Sequence, residues 1–202
     1  MNVKQPLKAA ANAVATLLVL PLLVSYAVRA AVLGRDRALE GSTQALSLIP
    51  GLPGQYLRRA FLARTLREGC AWSATIEFGT IFSQAGTRID DNVYVGPRCH
   101  LGLVHLEHDV LLAAGVHIPS GQHSHGIDPS SPIREQSGQR RLVRIGAGSW
   151  IGSNAVVMAD VGTDTIVGAG AVVTRPLPDR VVAAGVPAQV IRRRDDLSAV
   201  TA

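Results

Sequence analysis

The chain has 202 residues, enough for one folded domain and a small additional element. Its formal net charge is +5, but no aromatic-basic interleaving and no recognition module accompany this charge, so nucleic acid is excluded as the expected partner. Phosphate-bearing ligands and anionic lipid suit the charge better. The two cysteines, Cys70 and Cys99, form neither a disulfide framework nor a zinc-binding spacing, and they indicate a reducing compartment.

The first element in the chain is an apolar segment, Ala9 to Val28, which carries no charge. At about 1.5 Å per helical residue it is long enough to cross a hydrocarbon core of about 30 Å, which predicts a membrane anchor. A cleaved secretory signal is the alternative, although Arg29 occupies the place of a small-residue cleavage site. Pro21 leaves a kinked or re-entrant helix open. Two basic residues, Lys4 and Lys8, precede the segment, and three follow it, Arg29, Arg35 and Arg37. This mild excess favours a cytoplasmic location for the C-terminal side.

A second helix is predicted over residues 50–66. Prolines and glycines at positions 50–54 end the preceding element, and apolar Leu57, Phe61, Leu62 and Leu66 then alternate with arginines. This helix either lies on a membrane surface or caps the open end of the following domain. The arginines at positions 58, 59, 64 and 67 would be attracted to anionic lipid in the first case.

The rest of the chain repeats with a period of six residues. Aliphatic side chains recur at Ile89, Val95 and Leu101, at Leu106, Leu112 and Ile118, and at Ile145, Ile151 and Val157. A small or polar residue follows seven of these nine, as a tight corner every six residues requires. Helices repeat near 3.6 residues and strands near 2, so this period predicts a parallel β-helix with about 18 residues in each triangular coil.

The six-residue period has two shortened steps and one long interruption. Leu101 and Leu106 are five residues apart, and Val157 and Val167 are ten apart, which predicts trimmed corners. Between Gly121 and Arg144 the period disappears into polar residues, so we expect a loop extruded from the solenoid over 121–144. Loops held on rigid scaffolds are common places for function.

The C-terminal half resembles a known family. Its most specific motifs are WIG at 150–152, GAGAVVT at 168–174 and AGVPA at 184–188. These motifs, within residues 75–194, are similar to those of the hexapeptide-repeat acyltransferases, the group of galactoside, maltose and xenobiotic acetyltransferases, whose fold is a left-handed parallel β-helix. The segment PGxxGxYLRRxF at 50–61 and the apolar N-terminus resemble the membrane-associated branch found in surface-polysaccharide biosynthesis.

This resemblance implies an acetyl-CoA-dependent enzyme that works as a homotrimer, with sites between adjacent solenoids. The general base of the family lies just after a coil of the form V-x-I-x-[ST], here Val116, Ile118 and Ser120. His123 is therefore the expected base, and His125 is the alternative. An imidazole with a pKa near 6.5 accepts a hydroxyl proton at neutral pH and returns it to the CoA thiolate. Asp128 and Glu135 are nearby candidates for an orienting carboxylate.

Positions that contact CoA in the family are carried over one by one. Ser153, Ala169, Thr174 and Arg175 match positions that touch the pantetheine arm or the nucleotide, and Arg192 matches a basic position that reaches the phosphates. Gln189 replaces a frequent second arginine, for which Arg193 or Arg194 is a substitute.

The sequence leaves two other functions open. His100 and His105 have the spacing of two zinc ligands in γ-carbonic anhydrases, but no histidine precedes His100 to supply the upstream ligand. The other is a catalytically inactive hexapeptide scaffold. With no metal expected, we predict an O-acetyltransferase with a sugar or lipid-linked glycan acceptor in bacterial surface-polysaccharide biosynthesis. We expect it at the inner membrane with its catalytic domain in the cytoplasm.

The expected organisation has three parts. Residues 1–70 form membrane-associated or capping helices, residues 71–194 form the β-helix with its extruded loop, and residues 195–202 form a C-terminal tail.

Overall fold

The computed structural model describes residues 4–196, so most of the predicted tail, residues 197–202, lies outside the described residues. Helices come first in the chain and a β-solenoid follows. The helices are α1 (Lys4–Leu33), α2 (Arg35–Ser47) and α3 (Gly51–Thr65). Helix α1 is continuous through Pro21. Helix α2 was not predicted from the sequence.

The solenoid is built from short strands, most of them two residues long. They are β1 (Thr75–Ile76), β2 (Ile81–Phe82), β3 (Arg88–Ile89), β4 (Tyr94–Val95), β5 (His100–Leu101), β6 (Val104–Leu106), β7 (Leu111–Leu112), β8 (His117–Ile118), β9 (Val143–Ile145), β10 (Trp150–Ile151), β11 (Val156–Val157), β12 (Ile166–Val167), β13 (Val172–Val173), β14 (Val181–Ala184) and β15 (Gln189–Arg193). A 3₁₀ turn, Ile133–Glu135, lies between β8 and β9.

These strands stack into three parallel sheets, which are the three faces of the solenoid. Neighbouring strands in each face follow these orders. Face 1 has the order β1-β4-β7-β10-β12-β14-β15, face 2 has the order β2-β5-β8-β11-β13, and face 3 has the order β3-β6-β9. About six coils are stacked, and on face 3 three of them contribute a strand while Cys70, Val161 and Leu177 contribute isolated bridges. Only the last pair described, β14 with β15, is antiparallel. The predicted parallel β-helix is confirmed.

The six-residue period marks the core of this solenoid. All nine aliphatic residues that define the period are at most 2% exposed, and each packs on its equivalent in the next coil. The register pairs Val95 with Leu112, and Leu112 with Ile151. Because burial of such side chains contributes about 1.5–3 kcal/mol each, the stacked aliphatics are the main stabilising feature of the fold.

The shortened steps lie at corners, as the sequence predicted. Val161 forms a bridge with Ile145 on one side and Leu177 on the other, so it takes the face 3 position between Val157 and Val167. Val161 is fully buried. The corner from face 2 to face 3 is therefore only three residues long in that coil, and the stacked aliphatics stay aligned.

Two different residues shape the long corner between β10 and β11. At Gly152 an added Cβ would lie 2.5 Å from the backbone nitrogen of Ala169, so glycine is needed there because the next coil approaches closely. The chain turns two residues later, where Asn154 adopts the left-handed conformation with φ of 58°. Asparagine tolerates this region better than most residues. At this corner Gly152 therefore provides space for the next coil, and Asn154 provides the change of direction.

Helices α2 and α3 cover the open end of the first coil. Phe61 and Leu62 of α3 are at most 1% exposed. Arg58 is 2% exposed, and its guanidinium donates hydrogen bonds to the carbonyls of Ile76 in β1, Leu46 in α2 and Ile49 after α2. This arrangement supports the capping function for α3. It also makes Arg58 unavailable to the anionic lipid that would attract the four arginines in the membrane-surface alternative.

Candidate functional site

The extruded loop leaves the solenoid between β8 and β9, where face 2 passes to face 3. It ends at residue 142, two residues earlier than predicted, because Val143 and Arg144 belong to β9 and pair with Val104 and His105. Val143 is fully buried. Its packing in the stack explains why β9 begins before the six-residue period resumes at Ile145.

Hydrogen bonds between its two limbs hold the base of the loop. The backbone N–H of Arg141 donates to the carbonyl of Ser120 at 2.8 Å, and that of Gln139 donates to the carbonyl of His123 at 2.6 Å. Farther out, the side-chain amide of Gln136 spans the loop and donates to two backbone carbonyls. The backbone at His123 is therefore fixed, while its imidazole stays exposed.

The His123 side chain faces a small cavity of about 170 Å³, which is lined by Gln122, His123, Gln139, Arg141 and Met158. The side-chain amide of Gln122 donates to the backbone carbonyl of Thr174, and so links the loop to a later coil. Arg141 pairs with Asp160 at 2.5 Å. Gln122 thus joins the cavity of the predicted base to the corner that carries two of the predicted CoA-binding residues, Thr174 and Arg175.

His125, the alternative base, is exposed and does not line this cavity. Within residues 4–196, no side chain hydrogen-bonds to the imidazole of either histidine. Asp128 instead accepts a hydrogen bond from the N–H of Ser130 at 2.8 Å, which lowers the pKa of Asp128 and closes a local turn. Glu135 lies in the 3₁₀ turn. Neither carboxylate therefore orients His123 in the single chain.

The predicted CoA-binding residues lie at two different corners. Ser153 and Ala169 occupy equivalent places in consecutive coils, where face 1 passes to face 2, and the backbone there is joined by a hydrogen bond from Gly170 N–H to Ser153 carbonyl. Thr174 and Arg175 lie at the opposite edge of face 2, beside the loop. One chain therefore does not bring the whole set to one groove.

Arg192 lies elsewhere again, on the last strand. It pairs with Val182 of face 1 in the antiparallel β14–β15 ribbon and is exposed. Arg194, a proposed substitute for the arginine replaced by Gln189, donates to both the carbonyl and the carboxylate of Asp164. Its guanidinium is therefore already engaged within the chain.

Face 1 carries an exposed apolar column that the sequence reasoning missed. Tyr94, Leu111 and Trp150 are 37%, 41% and 49% exposed and are stacked in register, and Ile166 and Val182 continue the column. Each of these residues directly precedes a buried residue of the stack. The signal was therefore present in the sequence as a second, outward-facing repeat with the same period. Contiguous exposed apolar surface of this kind marks an interaction site.

Two histidines form a stacked pair on face 2, close to the base of the loop. The rings of His100 and His117 are 5.1 Å apart and inclined by 12°. Burial, together with the charge of His100, lowers the pKa of His117. The pair borders a polar cavity of about 270 Å³ that also receives Glu40 of α2 and Arg140 of the loop. This polar cavity lies beside the loop on the side of the helical cap.

Face 3 carries a ladder of ionisable side chains. His105 Nε2 lies 2.9 Å from Asp90 Oδ2. In the next coil Glu107 accepts two hydrogen bonds from Arg144 and one from the N–H of Ala147. Burial of Glu107 opposes its ionisation, but these hydrogen bonds outweigh that effect and lower its pKa.

The histidines considered for a metal site do not share a face, since His100 lies on face 2 and His105 on face 3. Among the residues that the structure describes, no group of three or more histidine, cysteine, aspartate or glutamate side chains has the arrangement of a metal site.

Comparison with known proteins now identifies the family. Residues 142–175 match the profile described as a hexapeptide repeat of succinyl-transferase. Over 143 residues the chain is 33% identical to Escherichia coli WbbJ, described as a candidate lipopolysaccharide biosynthesis O-acetyl transferase. That match covers 59% of this chain and 72% of WbbJ. The chain belongs to the hexapeptide-repeat acyltransferases.

Solved structures of this acyltransferase family have the same fold. A hexapeptide-repeat acetyltransferase from Vibrio cholerae superposes with a TM-score of 0.60 at 19% identity, over 79% of this chain and 92% of that one. A variant of AntD, an N-acyltransferase from Bacillus cereus in complex with dTDP-4-amino-4,6-dideoxyglucose and coenzyme A, gives 0.52 at 17% identity, over 63% and 75%. The solenoid of this acyltransferase is thus the expected left-handed parallel β-helix.

Proposed function

We propose that this acyltransferase transfers acetyl groups from acetyl-CoA to a hydroxyl group of a sugar or lipid-linked glycan in bacterial surface-polysaccharide biosynthesis. The observation that carries the proposal is the 33% identity to WbbJ across 143 residues. The CoA complex of the structurally similar AntD supports a CoA thioester as the donor.

The chemistry assigned to His123 is general base catalysis. The imidazole accepts the proton of the acceptor hydroxyl while the oxygen attacks the carbonyl carbon of the acetyl thioester. A C–O bond forms, the C–S bond breaks, and the proton passes from His123 to the departing CoA thiolate. The cavity beside His123 and its hydrogen-bonded loop base suit this assignment, because the backbone of the base is held while its ring stays accessible.

The site is completed, in this proposal, by a second copy of the chain. The predicted CoA-binding residues divide between the two edges of face 2, with Ser153 and Ala169 at one edge and Thr174 and Arg175 at the other. When solenoids pack side by side, the edge of one copy faces the opposite edge of its neighbour. A homotrimer with CoA bound between adjacent solenoids brings the two groups together, and its closed cyclic symmetry yields three equivalent sites.

The apolar column of face 1 supplies a surface for this packing. Tyr94, Leu111 and Trp150 form a strip that borders the corner of Ser153 and Ala169. Aromatic side chains are enriched at protein interfaces, and the buried core of an interface is apolar. We therefore assign the column to the contact between solenoids.

The same proposal places the enzyme at the inner membrane with the solenoid in the cytoplasm, where acetyl-CoA is available. Within helix α1, the segment Lys8–Leu33 is long and apolar enough to span a membrane by length and composition. Only 11% of its most apolar window is buried within the chain. A membrane location would bring the enzyme to a lipid-linked acceptor.

The function is tested with the purified protein, acetyl-CoA and a panel of sugar acceptors, by measuring CoA release and the mass of the product. The host polysaccharide is analysed by mass spectrometry with and without the gene. His123→Ala should abolish most turnover, whereas the matched variant His108→Ala should not, since His108 is exposed at a remote corner beside Asp109. Unchanged polysaccharide acetylation without the gene would contradict the proposal.

The assembly is tested by light scattering of the detergent-solubilised protein. We expect a trimer, and we expect Trp150→Ala to weaken it and to reduce activity in parallel. The chain has two tryptophans, and Trp72, which is 42% exposed against 49% for Trp150, is the matched control. A fully active monomer would refute the proposed two-copy site.

A further inference from the structure

Helix α1 has one packed side and one exposed side. The packed side lies on α2 and α3 and includes Ala15, Val19 and Tyr26, which are at most 7% exposed. The other side is almost wholly apolar, and its large side chains are 47–78% exposed: Val14, Leu17, Leu18, Leu20, Val24, Val28, Val32 and Leu33. We call this exposed side of α1 the outer apolar face.

Polar contacts attach both ends of α1 to the same helical layer. Near its start, Asn12 accepts a hydrogen bond from Arg59 of α3 at 2.7 Å. Near its end, Arg29 donates to Ser42 of α2 at 2.7 Å. These two positions span about 25 Å of helix, which is close to the thickness of a hydrocarbon core. Both ends of the apolar segment are therefore fixed to one side of one layer.

That layer is itself fixed to the solenoid. Asp36 of α2 accepts a hydrogen bond from the N–H of Ala85 at 2.9 Å, and Thr43 exchanges hydrogen bonds with the backbone of Phe82. If α1 crossed the bilayer in this arrangement, α2 and α3 would be held at hydrocarbon depth with their charged side chains. Charged groups at that depth are strongly disfavoured. A spanning orientation therefore conflicts with the packing of the cap.

The charge around the outer apolar face suits a bacterial membrane surface. The first 35 residues contain basic side chains and no aspartate or glutamate. Lys8 and Arg35 are exposed at the two ends of the apolar stretch. Beside the face, α1 and α3 enclose an apolar groove of about 380 Å³ bordered by Leu18, Leu52 and Tyr56. Apolar surface bordered by cations is the pattern of helices that lie in the interface of anionic membranes.

We infer that the enzyme is monotopic: α1 lies in the plane of the cytoplasmic leaflet, inserts its outer apolar face among the acyl chains, and keeps both of its ends in the cytoplasm. The inference rests on the proposed function, which places the solenoid on that side. In the proposed trimer the three caps lie at the same end of three parallel solenoids, so all three helices meet one membrane plane. The solenoids then project from the membrane with their sites facing the cytoplasm.

Topology is the first test. Alkaline phosphatase, which is active only after export, is fused to the N-terminus of the full chain in the bacterial host. We expect no phosphatase activity and protection of the fused reporter from protease in spheroplasts, because a monotopic α1 leaves the N-terminus inside. An exported, active reporter would show a spanning helix and overturn the inference.

Binding to vesicles is the second test. The purified protein is exchanged from detergent into phosphatidylethanolamine vesicles with about a quarter phosphatidylglycerol, and flotation measures the bound fraction. The combined variant Leu17→Glu, Val24→Glu and Val28→Glu changes side chains that are 62–65% exposed, so the fold should persist. We expect binding to fall at least about tenfold, since three charges would enter the acyl region.

Ile127→Glu is the matched control for vesicle binding, because Ile127 is 86% exposed but lies in the extruded loop. It should change binding by less than about twofold. The inference would be overturned if the triple variant and the wild type bound vesicles equally. It would also be overturned if the outer apolar face of the wild type paired with a second copy and the protein did not bind vesicles. Turnover of a soluble acceptor is measured on the same samples, so a failure of membrane binding is distinguished from a failure of the proposed activity.

Discussion

Replacement of Gly152 by alanine tests whether close contact between coils limits the sequence of this solenoid. The new Cβ would lie 2.5 Å from the nitrogen of Ala169, 2.7 Å from the carbonyl carbon of Gly168 and 2.8 Å from the carbonyl oxygen of Val167. All three are backbone atoms, so relief requires the two coils to separate. That movement strains the hydrogen bond from the N–H of Gly152 to Val167, which is 2.7 Å long.

The cost follows from these contacts. Overpacking of a tight site costs about 1–3 kcal/mol, and a weakened ladder hydrogen bond adds about 0.5–1.5 kcal/mol. We expect the free energy of unfolding to fall by about 2–4 kcal/mol, which for a chain of this size lowers Tm by roughly 5–15 °C. The change should be visible in a thermal unfolding curve followed by circular dichroism.

Gly170→Ala is the matched control in the next coil. Gly170 has φ of +68° but nothing within 4 Å of an added Cβ, so only backbone strain of about 1–2 kcal/mol is expected. The variants must be compared at one protein concentration, because assembly contributes to apparent stability. If Gly152→Ala lowered Tm no more than Gly170→Ala, close packing of the coils would not be the reason for the glycine.

Three further predictions concern single side chains. His123→Ala should lower the rate of acetyl transfer by about 10²–10⁴-fold, with little change in the CoA affinity measured by a binding titration. If activity survived this change but was lost in His125→Ala, His125 would be the base instead. Glu107→Gln should reduce the free energy of unfolding by about 1 kcal/mol at neutral pH. The pKa of Glu107 is lowered from its ordinary value of 4.5, so the ionised side chain stabilises the folded protein above that pH. This stabilisation is lost as the pH falls through the lowered pKa. Urea unfolding curves of the wild type and Glu107→Gln should therefore converge in acid. Burial raises the pKa of Cys70 to about 12 and that of Cys99 to about 11, so neither thiol should react with a disulfide reagent at mildly alkaline pH until the protein is unfolded; rapid labelling of the folded protein would contradict their burial.

The sequence by itself determined the repeating part of this protein. Each coil buries one aliphatic side chain per face, so residues such as Val95, Leu112 and Ile151 recur with a local period. This period predicts the solenoid without knowledge of distant contacts. The trimmed corner before Val167 and the interruption after Ser120 were readable for the same reason, because they are departures from that period. His123 was chosen by motif, and the structure adds a cavity beside it.

Tertiary structure alone decided the features that depend on how separate elements meet. Half of the buried face of helix α2 is polar, with Ser42, Thr43 and Ser47, and the helix is held by contacts to other elements, such as Asp36 to Ala85 and Thr43 to Phe82. The arginines of α3 look alike in sequence, but only packing shows that Arg58 is buried in the cap. Packing between separate elements also decides two further features. It divides the CoA-binding candidates between two edges of face 2, and it attaches both ends of α1 to one layer. Such relations join residues far apart in the chain, and a local period carries no information about them.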